Sequence, residues 1–423
     1  MKLNMLKEDR INYLNIGLMV LTAIAAYLFP FETFLLAYAY LGPLHYLTEI
    51  SWLHDRNYFS KGKYDFLLLL IVGVLLSYAA FAKDFGVSVE VYDYFVKMNL
   101  FDKLLVFALF SSILFALVKN LIVKIIAILF LYVFVSGWLS PEKSDNNGGS
   151  TMVFALTSLV PTLIHVYLFT GLFMLFGALK SRSRSGLWQM VGFILVPIFL
   201  VFFIPVDVKR SNLTEYGKNA YYAGGDGFFY TSISVLEHFK LIDEPKFTNK
   251  QFLENYVNNE KSKQNIPIEE RKRLNDSLKK RLNEPYIIND PTNEYYKKPI
   301  PVKNALGTYD KDSYWGIVFY SNIGIMLMRF IAFAYLYHYL NWFSKTEVIR
   351  WHQVPKIRFA AVIILWIGAS VFYAYDYSLG LSLLFFLSFS HVLLEFPLNI
   401  VSIIGIGKES YLIATKGFNS KGN

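Results

Sequence analysis

Runs of uncharged apolar residues, longer than a globular core can use, constrain this chain more than any other feature. Leu187–Val206 is one, and Leu379–Ile406, whose only ionisable residues are His391 and Glu395, is another. About 18 consecutive apolar residues suffice to cross a bilayer. Hydrocarbon offers the backbone no hydrogen-bond partner, so a crossing segment must be a helix or a strand of a closed barrel. These runs are about twice the length of a barrel strand and lack its alternation. The fold class expected is therefore all-α, a polytopic membrane helix bundle. Only 17% of the residues are charged, against about 25% in a soluble domain.

Ten spans are expected, near 12–30, 33–53, 65–82, 103–119, 121–139, 153–179, 187–205, 315–343, 358–376 and 379–405. The first turns tightly into the second at Pro30-Phe31-Glu32 and has no small-residue cleavage site, so it reads as a retained span. With both termini in the cytoplasm, the short inner loops and ends hold 18 Lys and Arg, against four in the short outer loops. That asymmetry fits an N-in, C-in protein. The +9 net charge is thus a topology signal. The cations are not gathered on one face with aromatics between them, so no nucleic-acid partner is expected. The Lys-, Asn-, Phe- and Tyr-rich style suggests a low-GC bacterium, which places the chain in the bacterial inner (cytoplasmic) membrane.

Three regions follow: helices 1–7 in 1–205, a long extracytoplasmic insertion or small cap domain in 206–313, and helices 8–10 with a cytoplasmic tail in 314–423. The insertion carries a Gly-rich aromatic segment, 221–230, in which Gly and Asp read more readily as turn formers than as a binding loop. A basic stretch, 268–282, places Leu274, Leu278 and Leu282 on one helical stripe, a surface on which a partner protein could dock. Cysteine is absent, which excludes thiolate catalysis, disulfides and thiolate-bound clusters.

Ionisable groups inside a span cost a few kcal/mol each and mark function by default. Four of the seven histidines fall in spans: His45, His165, His338 and His391. Their helices all run from outside to inside. His45, His165 and His391 should lie near one depth, with His338 one to two turns nearer the cytoplasm. Glu49 follows His45 and Glu395 follows His391 at i+4, which puts each pair on one helical face. Imidazole and carboxylate together suit Fe, with Zn or Mn as alternatives, and a mixed shell with open positions suits non-haem Fe(II). The same residues also admit a haem between paired histidines, or purely structural polar pairs. Arg329 is the other costly residue, on the opposite face of its helix from His338, where it would neutralise a carboxylate or bind a lipid head group. His54, His238 and His352 read as surface. No His-Glu-x-x-His helix, Walker loop, Gly-x-Gly-x-x-Gly element or desaturase histidine box occurs.

Leu41-Gly-Pro-Leu-His-Tyr-Leu-Thr-Glu49 resembles the Gly-x-Pro-His-x-x-x-Asp signature of the bacteriorhodopsin-related-protein (Brp/Blh) family of membrane β-carotene 15,15′-dioxygenases. Phe333-Ala-Tyr-Leu-Tyr-His338 is similar to the aromatic approach to a late-helix iron ligand in that family. The resemblance implies non-haem Fe(II) held by four membrane histidines, cleaving a carotenoid with O₂ to give retinal. It departs at Trp342, where the family has a second histidine four residues after the first, and in the 206–313 insertion. The leading expectation is a metal-dependent membrane oxygenase acting on a lipophilic small molecule. Its metal ligands would be His45, His165, His338 and His391, with Glu49 and Glu395 as ligands or catalytic orienting groups. The alternative is a non-enzymatic transporter, or a membrane subunit docking a partner through 206–313.

Overall fold

Apolar runs with so few charges leave the backbone no partner but itself, and every element found is helical. A computed structural model describes residues 2–82, 86–139, 155–206, 214–225, 269, 318–319, 322–345, 350 and 353–419, and no strand occurs among them. In chain order these are α1 (Lys2–Leu28), α2 (Pro30–Leu36), α3 (Gly42–His54), α4 (Asp65–Ala80), α5 (Val89–Lys97), α6 (Leu100–Leu117) and α7 (Leu121–Trp138). They continue with α8 (Thr170–Ser181), α9 (Arg184–Ile198), α10 (Glu215–Ala220), α11 (Asn322–Ser344), α12 (Lys356–Tyr375) and α13 (Tyr377–Lys416). The Gly-rich segment beyond 225, the 268–282 stripe, His238 and His352 lie outside the described residues.

Among the described residues eight helices are long and apolar enough to cross a membrane, which makes the chain a helical membrane bundle. They correspond to eight of the ten expected spans. The third expected span is the shorter apolar helix α4. The second, Pro30–His54, is helical throughout but passes through one wide turn. Pro43 has no N–H to give to the preceding turn, and the chain widens over Ala37–Leu41, where the Gly42 N–H reaches the Ala37 carbonyl five residues back. Wide turns recur over Ala155–Phe169, which contains Pro161, and over Phe199–Phe203, just after Pro197. Such turns are rare and concentrate at functional sites. Helix α5, between α4 and α6, falls in a stretch where no element was expected. It starts on an N-cap at Ser88, whose hydroxyl accepts from the Val91 N–H.

The chain divides into two units. In the larger one (Met1–Ile24, Phe34–Pro197, Phe333–Asn423), α13 is the axis, packed by α3, α4, α6, α8 and α12. Helix α4 approaches it closely at Gly73, where a Cβ would stand 2.8 Å from the Ser390 hydroxyl. Helix α7 lies outside, and Ile122, Ile126, Phe130 and Val133 on it are more than 60% exposed, a face fit for lipid. At one end α1 is tied to the turn before α9: Asn12 donates to Ser183 and Ser185, and Ser185 donates to Asp9. In the smaller unit (Ala25–Thr33, Ile198–Ala332), Phe31, Tyr221 and Phe319 pack ring against ring, and Thr214 donates twice to Glu32 at 2.7 Å.

Lys124, expected as a cytoplasmic loop cation, is buried and paired with Asp65 at 2.5 Å, which also accepts from the Gly62 N–H. The pair joins the starts of α4 and α7. Removing one partner of a buried pair strands the other charge and costs about 3–5 kcal/mol. Asp65→Ala should therefore lower the unfolding midpoint of the purified chain by several degrees, followed by tryptophan fluorescence on heating. Asp65→Leu combined with Lys124→Met should recover most of the loss.

Candidate metal centre

Each of the four membrane histidines is placed by a different local device. His45 sits in the first turn of α3, immediately after the wide turn over Ala37–Leu41. Glu49 follows one turn later, its carboxylate 3.0 Å from His45 Nε2. His165 lies in the wide-turned segment Ala155–Phe169 that leads into α8. His338 comes from α11, and His391 and Glu395 come from α13. Exposure of all six ranges from 1% to 7%.

The hydrogen bonds fix which ring nitrogens face inward. Thr170 Oγ1 donates to the Val166 carbonyl at 2.9 Å, so towards His338 Nδ1, 2.6 Å away, it can only accept. His338 is thereby set as the Nδ1–H tautomer with a bare Nε2 lone pair. His391 Nδ1 donates to the Ser388 carbonyl, which fixes the same tautomer. Orienting bonds of this kind, on the nitrogen away from the metal, are characteristic of metal-ligating histidines.

Those lone pairs converge. His338 Nε2 is 2.9 Å from His45 Nε2, and His391 Nε2 is 3.1 Å from His165 Nε2. The rings form a closed circuit, with centroids separated by 4.6 Å (His45–His338), 5.2 Å (His338–His165), 5.0 Å (His165–His391) and 5.5 Å (His391–His45). Donor atoms of His45, Glu49 and His391 lie within 4.8 Å of one another, as do those of His165, His391 and Glu395. Glu395 stands 3.5 Å from His165 Nδ1 and faces Glu49. His45 beside His391, with Glu49 beside Glu395, shows that α3 and α13 run parallel here. His338 is level with the others rather than one to two turns deeper. A residue count along one helix fixes no height relative to its neighbours, because tilt and end position differ between helices.

This cluster can hold a metal. Nitrogens bound at right angles to one ion, with bonds of about 2.1 Å, sit about 3.0 Å apart, which is the spacing of both nitrogen pairs. Among the described residues neither glutamate is paired with a lysine or arginine, His45 Nδ1 makes no hydrogen bond, and the two glutamates lie within hydrogen-bond reach of each other. Two facing carboxylates in a buried bundle must be neutralised, by a shared proton or by a bound cation. A porphyrin fits poorly, because axial nitrogens on opposite sides of one iron stand about 4 Å apart with the macrocycle between them. No family model, curated protein or solved structure matches the chain. What the cluster binds is therefore read from its donors alone.

Aromatic side chains close the site. Tyr46 stacks on His391 with centroids 4.2 Å apart, and its hydroxyl is 2.9 Å from that of Tyr339. Trp342, where the resembling family has a second histidine, packs edge-on against His45 at 5.3 Å and donates to Thr48 Oγ1. Arg329 belongs to the other unit. It donates to the Ile204 and Pro205 carbonyls at 3.0 and 3.1 Å and lies over the Tyr27 ring. Its charge thus caps the carbonyls leaving the wide turn at Phe199–Phe203, a role that sequence reasoning did not foresee. His54 is exposed, as expected. Thr170 and the Ser388 carbonyl were also missed. Each orients a histidine from another position through the fold, and no sequence spacing signals that.

Loss of such an outer partner typically lowers metal affinity 10–100-fold. Thr170→Val keeps the side-chain shape while removing the acceptor for His338 Nδ1–H. It should weaken metal binding by about that factor in a competition titration against a chromophoric chelator, with the unfolding midpoint of the metal-free chain changed little.

Proposed function

We propose that the chain is a membrane oxygenase that holds non-haem Fe(II) in the four-histidine cluster and acts on a lipophilic substrate, with a carotenoid as the leading candidate. The observation that carries this reading is two pairs of buried imidazole nitrogens, 2.9 and 3.1 Å apart, in one closed circuit of four rings. The resemblance of the segments around His45 and His338 to membrane carotene dioxygenases supports the choice of metal and substrate. Mixed nitrogen and carboxylate donors favour Fe over softer metals, with Zn or Mn the next candidates.

Bound Fe(II) would supply activation of O₂ toward a carbon–carbon double bond. The chain's own residues do the rest. His338 and His391 present unprotonated Nε2 atoms because Thr170 and Ser388 hold their Nδ1 protons. Glu49 and Glu395, 3.0 Å from His45 Nε2 and 3.5 Å from His165 Nδ1, neutralise a divalent cation. Tyr46, Tyr339 and Trp342 wall the site with aromatic surface, which excludes bulk water and suits a polyene. The topology belongs to the same reading: ten crossings, the eight long helices plus α4 and the Pro30–His54 segment, with both termini in the cytoplasm of a bacterial inner membrane.

The experiment is elemental analysis of the purified chain after growth with added iron. About one equivalent of Fe per chain is expected, with no Soret band, and His391→Ala should retain less than a tenth of it. Less than a tenth of an equivalent of any transition metal in the unaltered chain would reject the proposal. Full metal content without O₂-dependent bleaching of a carotenoid in detergent would reject the substrate while keeping the metal.

A further inference from the structure

The cluster does not end at its carboxylates. At about 100° per residue, His391, Glu395, Asn399, Ser402 and Glu409 of α13 fall within an arc of roughly 80°. Glu395, Asn399 and Ser402 are only 1–3% exposed, whereas Ile403 and Ile404, turned away from that arc, are 46% and 39% exposed with apolar side chains. Both amide atoms of Asn399 and the Ser402 hydroxyl are buried with no hydrogen-bond partner. Helix α3 starts the same pattern in parallel. His45, Glu49 and Trp52 stand at i, i+4 and i+7, and Trp52 Nε1 is again buried without a partner. Helix α6, which packs on α13, adds an unpartnered Ser111 hydroxyl.

One orphaned polar atom is a local defect. A row of them along one helical face is a surface built for water, because a buried amide left unsatisfied costs several kcal/mol in an apolar medium and buried water resolves this with two to four bonds per molecule. The row of buried polar groups ends at Ser402; beyond it Ile406 stands on the same arc, and the next polar group there is Glu409. Glu409 lies about 27 Å beyond His391 at 1.5 Å per residue, and accepts from Arg182 at 2.8 Å. We propose that this face of α13 lines a narrow hydrated conduit, carrying water and its protons from the His/Glu cluster along Asn399 and Ser402 toward the helix end. No charged side chain stands on the face between Glu395 and Glu409, so nothing there would offset the dehydration of a metal ion. Water is the occupant that Asn and Ser satisfy. A centre closed off by aromatic rings and lipid needs such a route for any chemistry that consumes or releases protons.

The chain contains no cysteine, so thiols can be introduced one at a time into the full-length protein. Asn399→Cys, Ser402→Cys and, as the lipid-facing control, Ile403→Cys are treated with silver nitrate in chloride-free buffer. Silver is an ion close to water in size. The thiols left free are then counted by biotin–maleimide labelling in SDS. The expected result is at least tenfold loss of labelling at 399 and 402, with little loss at 403. Equal protection of all three sites, protection of none, or protection at 402 without 399 would overturn the conduit. Ser402→Cys is nearly isosteric. If Asn399→Cys fails to fold, Ser402→Cys against Ile403→Cys decides alone. The readout is independent of bound metal. Silver-reactive thiols in a chain that binds no iron would keep the conduit and reject the oxygenase, and the reverse result would do the opposite.

Discussion

Two carboxylates facing each other in hydrocarbon, beside four imidazoles, set the terms for the rest of this structure. Among the described residues no lysine or arginine pairs with either carboxylate, so the surrounding helices must supply most of the lone pairs and polar contacts around them. This explains why α13 is wrapped by five other helices, and why the groups nearest the cluster are tyrosine, threonine and a backbone carbonyl rather than leucine. It also explains why the glutamates are matched to histidines and not to the nearest available cations. Lys124 and Arg182 are spent on Asp65 and Glu409 at helix ends, and Arg329 on backbone carbonyls of the other unit. The polar groups of the site are thus left to one another, an arrangement that a bound divalent cation completes.

Much of this was legible in the sequence, and for identifiable reasons. Long apolar runs dictate helices because hydrocarbon permits nothing else at that length. The two His-x-x-x-Glu pairs were legible because i, i+4 spacing on a helix fixes a common face whatever the tertiary packing. The convergence of His165 and His338 on those pairs was only an expectation. It depends on which helices are neighbours, and periodicity carries no record of adjacency. The depth of His338 was misplaced because counting along one helix carries no record of its height beside the others.

The backbone departures were less readable. Pro43, Pro161 and Pro197 announce interruptions, yet a proline signals only a missing donor, and the wide turns around all three are one solution among several. Arg329 was read as a partner for a carboxylate or a lipid head group. Its actual partners are carbonyls more than 120 positions earlier in the chain, orphaned by a wide turn the sequence does not announce. Asn399 and Ser402 could have been found from the sequence. They continue the His391–Glu395 face at i+8 and i+11, and a search for polar residues on that face would have picked them out.

Helix α13 runs for 40 residues without a break in its assignment, or about 60 Å at 1.5 Å per residue, whereas a bilayer with its headgroups is about 40–45 Å thick. A rod of that length cannot be contained by the membrane that holds its middle. It has one weak joint, Pro397, which withholds a hydrogen bond from the preceding turn and lies two residues from Glu395 and two from Asn399. A force applied to the protruding tail would act through a lever whose fulcrum is the packed segment around the cluster. Bending would concentrate at the proline, and the first side chains to change place would be a carboxylate on one side of the joint and an amide on the other.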